Sequence, residues 1–77
     1  MNNIFRLNIL TQVDGERDSK ELLFRRYEDA KKEFDSQVAE LKSQLPNDNY
    51  LDDSERSFEF EDCYIYVLAE LQEVELM

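Results

Sequence analysis

Glu59 and Glu61 stand two residues apart in SFEFED, and Glu70 follows in the next apolar run. Carboxylates paired across a cleft are the working parts of glycoside hydrolases, where one protonates the leaving group and the other attacks or activates water. A second cluster, Asp48, Asp52 and Asp53 in NDNYLDD, offers the oxygen ligands that calcium takes. Cys63 is the only thiol. Each reading meets an obstacle. The chain has no histidine, the usual general base and metal ligand near neutral pH. NDNYLDD lacks the glycine and the spacing of a calcium-binding loop. One glycine cannot build a phosphate-cradling loop. Cys63 lies between Asp62 and Tyr64, a poor setting for a nucleophilic thiolate, and reads as a small strand residue. A chain of 77 residues has little room for a substrate cleft. These features point away from an enzyme and away from any cofactor or metal. They leave the carboxylates as a surface.

That surface is strongly charged. Nineteen acidic residues against nine basic ones give a net charge of −10. Residues 1–45 are nearly balanced, with nine acids and eight bases. Residues 46–77 hold ten acids, among them Asp48, Asp52, Asp53, Glu55, Glu59, Glu61, Asp62 and Glu70, and a single base, Arg56. Such a charge repels nucleic acid and anionic membranes and attracts a basic protein surface.

The length implies one domain, residues 1–77, with a small core. Nine aromatic residues argue for folding over disorder. A lone cysteine forms no intramolecular disulfide, which fits a reducing cytoplasm. The stretch MNNIFRLNIL has no cationic region ahead of a long apolar run, so no signal peptide is expected there.

The elements that must position the carboxylates follow from hydrophobic spacing. Phe5, Leu7, Ile9 and Val13 alternate, which predicts a half-buried strand over residues 4–13. DGERDS, residues 14–19, reads as a loop in which Gly15 takes a positive φ. KELLFRRY admits two conformations. As a strand over residues 20–26 it sets Val13 opposite Lys20, Thr11 opposite Leu22 and Ile9 opposite Phe24. As a helix from about residue 19, it uses Asp18 and Glu21 at capping-box spacing, with Leu23, Tyr27, Ala30 and Phe34 on one stripe. Phe24 favours the strand, since it falls off the helical stripe and on the strand's inward face. From Glu28 a helix is clear through Ala30, Phe34, Val38, Leu41 and Leu45, and Pro46 ends it. Residues 46–55 form a polar connection with one aromatic anchor, Tyr50. A final hairpin turns at Glu61-Asp62 or at Asp62-Cys63, and its last strand runs from Tyr64 to Glu75.

The expected fold is α+β, arranged β-β-α-β-β, with a four-stranded antiparallel sheet and one helix on one face. The alternative is β-α-β-β with a helix from about residue 19 to 45. In the four-stranded arrangement Phe5, Leu7, Ile9, Leu22, Phe24, Phe58, Phe60, Ile65, Val67, Ala69 and Leu71 face the helix. The other face collects Ile4, Arg6, Asn8, Leu10, Leu23, Arg25, Glu59, Glu61, Tyr64, Tyr66, Leu68 and Glu70. Apolar residues and tyrosines on an uncovered face mark an interaction site.

The stretch ELLFRRYEDAKKEFDSQVAELK following VDGE resembles small phage and mobile-element proteins that pair a hairpin with a helix. The make-up of the chain, short, acidic and without histidine or disulfides, is similar to phage inhibitors of the anti-CRISPR type, which present carboxylates in place of nucleic-acid phosphates. The resemblance implies a non-enzymatic inhibitor that blocks a basic surface on a nucleic-acid-binding effector in a bacterial cytoplasm. Asp48, Asp52, Asp53, Glu55, Glu59, Glu61, Asp62, Tyr64, Tyr66, Leu68 and Glu70 are the candidate contact residues. The alternative is a small accessory protein that forms a homodimer through its outer sheet face.

Overall fold

A computed structural model of the chain describes residues 2–76. The first turn decides the register of everything after it. Asp14 and Gly15 both adopt positive φ, 51° and 85°. That is the signature of a two-residue turn whose twist matches the flanking strands, and Asp-Gly is among its preferred sequences. Strand β1 (Asn2–Val13) therefore returns at once as β2 (Glu16–Phe24). Val13 lies opposite Glu16, Leu7 opposite Leu22 and Phe5 opposite Phe24. The hairpin expected at residues 20–26 is present, but the six-residue loop is not. The ladder is displaced by four residues, an even number, so Leu22 and Phe24 still face inward. The helix from about residue 19 is excluded.

Helix α1 (Tyr27–Gln44) starts after Arg26, which is extended and makes no side-chain cap. Glu28 and Asp29 occupy its first turn and Lys42 its last, as the helix dipole favours. Leu45 is extended, φ −83° and ψ 149°, the conformation that a following proline imposes. The buried stripe is Ala30, Phe34 and Val38.

Three further strands complete the sheet: β3 (Asp52–Asp53), β4 (Ser57–Glu61) and β5 (Ile65–Leu76). All pairings are antiparallel and the order is β2-β1-β5-β4-β3. The sheet thus has five strands where four were expected. The extra strand lies inside the connection of residues 46–55. Two residues are too few to show a period, but their anchoring is visible. Tyr50 packs edge-on against Phe58 at 5.0 Å, and the Leu51 amide donates to the Glu59 carbonyl at 2.8 Å.

The β4–β5 hairpin follows neither expected register. Phe60 lies opposite Val67 and Phe58 opposite Ala69. The turn moves outward to Cys63 and Tyr64 because Asp62 builds it. The Asp62 amide donates to the Ile65 carbonyl at 2.8 Å, and its carboxylate accepts from the Tyr64 amide, also at 2.8 Å. Cys63 is consequently exposed at a hairpin tip instead of lying within a strand.

The core consists of Leu7, Ile9, Ala30, Phe34, Val38, Phe58, Phe60, Val67, Ala69 and Leu71. Phe5, Leu22, Phe24, Leu41, Leu45 and Ile65 pack around it, as the alternation predicted, together with Tyr27 and Tyr50. The helix covers one face of the sheet. The other face is uncovered.

Candidate functional site

On the uncovered face the ladder registers stack side chains in rows that cross the strands. One row runs Ser19, Leu10, Leu68, Glu59, Asp52. The next runs Arg17, Gln12, Tyr66, Glu61, and on the other side lies Glu21, Asn8, Glu70, Ser57. Six of the eleven candidate contact residues, Asp52, Glu59, Glu61, Tyr66, Leu68 and Glu70, share this face. Leu10 and Leu68 are directly opposite each other and half-buried, so the middle of the face is apolar while its β3–β5 side is acidic.

Two side chains meet here in a specific way. Glu59 accepts a hydrogen bond from the Tyr66 hydroxyl at 2.7 Å. Its other neighbour across the ladder is Asp52. Like charges directly opposite one another destabilise a sheet. The Tyr66 phenol is held above its ordinary value, first by the bond to Glu59, then by burial, then by the negative charges of Glu59, Glu61 and Glu70.

Among the described residues, no base lies in ion-pair range of Asp52, Glu59, Glu61 or Glu70. The outer-face bases, Arg6 and Arg17, lie on β1 and β2. Arg6 hydrogen-bonds Gln72 at 2.6 Å and lies 3.9 Å from Glu21, while its Nε is buried without a partner. Arg56, the one base after residue 45, is turned to the helix side, where its guanidinium stacks 5.0 Å from the Tyr27 ring.

The remaining candidates divide. Asp62 and Tyr64 sit at the β4–β5 tip, where Asp14, Glu61, Cys63 and Tyr66 line an open concavity of about 670 Å3. Tyr64 is 71% exposed and belongs to the turn, not to the strand face expected for it. Arg25 lies beyond the end of β2 and so leaves that face as well. Asp53 pairs opposite Phe58, which turns it to the helix side, where it meets Lys42 at 2.9 Å. Glu55 accepts from the Tyr27 hydroxyl at 3.3 Å on that same side, and Asp48 is exposed in the preceding loop. Lys42 is a contact that the sequence pattern does not single out. Its ammonium lies 5.1 Å from the Tyr50 ring and 5.7 Å from Phe58, and it ties the β3 segment to the helix. Its place in the last helical turn was the available signal.

Among the described residues, no cluster of three acid or thiol side chains could hold a metal ion, and no helix is long and apolar enough to cross a membrane. No protein-family model, curated protein or solved structure matches this chain.

Proposed function

We propose that the protein is a non-enzymatic interaction protein whose outer sheet face binds a basic protein surface, its carboxylates standing where nucleic-acid phosphates would lie. The observation that supports this reading is the opposition of Asp52 and Glu59 with no basic side chain in ion-pair range among the described residues. On the helix side Asp35 is paired with Lys31 and Asp53 with Lys42. On the outer face Arg6 lies 3.9 Å from Glu21, but among the described residues Asp52, Glu59, Glu61 and Glu70 have no base in ion-pair range. A sheet that keeps like charges adjacent forgoes stability, and such local conflicts concentrate at functional surfaces. A cationic partner relieves the repulsion. Tyr66, Leu68 and Leu10 add an apolar centre that loses water on contact.

The test is capture of partners on the immobilised protein from a bacterial lysate at low salt, beside a Glu59→Lys, Glu61→Lys, Glu70→Lys variant. These three changes move the net charge by six, from −10 to −4. Basic nucleic-acid-binding proteins should be retained by the natural chain, competed off by added DNA or RNA, and released as salt rises. Equal retention by the variant would falsify the acidic-face reading. An apolar partner, or a second copy seated on the same face, would instead hold at high salt and be lost when Tyr66 and Leu68 become serine.

A further inference from the structure

Strand β2 is an open edge of the sheet, nine residues long, and residues 16–21 are all exposed. The direction of its backbone groups follows from the neighbouring ladder. The Asp14 amide donates to the Tyr64 carbonyl at 3.0 Å, so even-numbered residues of β1 bond to β5 and odd-numbered ones to β2. Their partners in β2 are the even-numbered residues. The amides and carbonyls of Arg17, Ser19, Glu21 and Leu23 therefore point away from the sheet, unpaired. Long open edges are normally guarded by repelling charges. Here residues 17–21, Arg-Asp-Ser-Lys-Glu, carry two positive and two negative charges in an order that complements its own reverse.

We propose that two copies of the chain pair β2 to β2, antiparallel, about a two-fold axis at Ser19. Only registers that set odd residues against odd residues bring outward amides and carbonyls together. Centring on Asp18 or Lys20 places two identical charges opposite each other, as does centring on Arg17 or Glu21. Centring on Ser19 sets Arg17 against Glu21 and Asp18 against Lys20, each twice by symmetry. About six main-chain hydrogen bonds then form, from the pairs at residues 17, 19 and 21. Directly opposite residues share a face, so both helices lie on one side of a continuous ten-stranded sheet. The interface is isologous, as a two-fold dimer requires. The acidic β3–β5 surfaces remain free at its two ends, and the pairing does not depend on what they bind.

The experiment is sedimentation velocity of the full chain over a wide concentration range, with circular dichroism to verify the fold of each variant. The natural chain should form a reversible dimer of twice the 9.3 kDa monomer. Asp18→Lys or Lys20→Asp alone converts both of its cross-strand pairs to like charges and should weaken the dimer by about tenfold or more. The double variant Asp18→Lys, Lys20→Asp restores opposition and should recover the affinity. Ser19→Pro removes an outward amide without touching the β1 ladder and should leave a folded monomer. A natural chain that stays monomeric at the highest concentration overturns the proposal. So does a dimer that survives Ser19→Pro, or a double variant no tighter than its singles.

Discussion

The Tyr66 hydroxyl donates to Glu59 Oε2 at 2.7 Å, and on the opposite side of Glu59 stands Asp52. One carboxylate is thus held between a neutral donor and a like charge. The bond orders Glu59 and Tyr66 relative to each other, and the ladder sets a second carboxylate beside them with no base in ion-pair range among the described residues. Both follow from the ladder registers, which set Asp52 opposite Glu59 on one side and Leu68 opposite it on the other. The link from sequence to surface chemistry is accordingly short: alternation selects the face, and pairing selects the neighbours.

That pairing should show in a pH titration. The protonated phenol of Tyr66 is favoured in the folded state by its bond to Glu59, by burial and by the surrounding glutamates. In the unfolded chain it ionises near the ordinary value of about 10. The unfolded state therefore loses its proton first as pH rises. Tyr66 contributes stability that is fully present below pH ~10 and is lost as pH climbs through the higher folded value. Ultraviolet difference titration should find a tyrosine that ionises above the ordinary value, and Glu59→Gln should lower it. A titration that Glu59→Gln leaves unchanged would remove the basis for this linkage.

The Asp14-Gly15 turn supports a second expectation. Gly15 has open space where a Cβ would be, so Gly15→Ala meets no steric neighbour. Its φ of +85° nevertheless strains any L side chain. The substitution should cost roughly 1–2 kcal/mol, the penalty for a left-handed conformation. Thermal unfolding should then fall by several degrees, since about 1 kcal/mol moves a domain of this size by roughly 4–8 °C. An unchanged melting temperature would mean that the turn relaxes to another type and that the β1–β2 register is soft.

Much of this architecture is legible in the residues, and the failures share a cause. Parity along a strand is robust, so the expected inward residues of the sheet pack in or around the core, except Val13, which is 48% exposed beside the first turn. Register is not robust, because shifts by an even number preserve parity. Asp14-Gly15 heads the loop expected over DGERDS but closes the hairpin by itself. Asp62 completes its own turn through its side chain, which no pattern of apolar residues reveals. The β3 strand exists because Tyr50 and Lys42 hold it, and both are tertiary facts. The acidic bias of residues 46–77 was visible, but its division was not. One residue of parity sends Asp52 to the uncovered face and Asp53 to Lys42.

Phe34 provides a direct measure of the core. It is 2% exposed, with the Lys31 ammonium 4.9 Å from its ring centre. Phe34→Ala should cost ~3–5 kcal/mol, the usual loss for a large buried aromatic. Total stabilities run only about 5–15 kcal/mol, so much of the population could unfold. Leu51 is apolar but 61% exposed, and Leu51→Ala should stay within ~0.5 kcal/mol. Urea titration of the two variants side by side checks both values. A loss below ~1 kcal/mol at Phe34 would show that the helix does not close the core as described.

Asp52→Asn separates stability from binding. The change leaves the β3 backbone pairing in place and removes the charge opposite Glu59. Relief of a like-charge pair should stabilise the fold by ~0.2–1 kcal/mol. Urea unfolding should show a higher midpoint with an unchanged slope. The same change takes one carboxylate from the proposed contact surface. Capture of a basic partner should weaken, mainly through slower association, and its dependence on salt should shrink. Stabilisation with full retention of the partner would place the contact elsewhere on the molecule. Destabilisation would mean that Asp52 serves the fold, and the repulsion with Glu59 would then be a cost that the structure bears for another reason. Gain in stability joined to loss of binding is the outcome expected of a carboxylate kept for its partner.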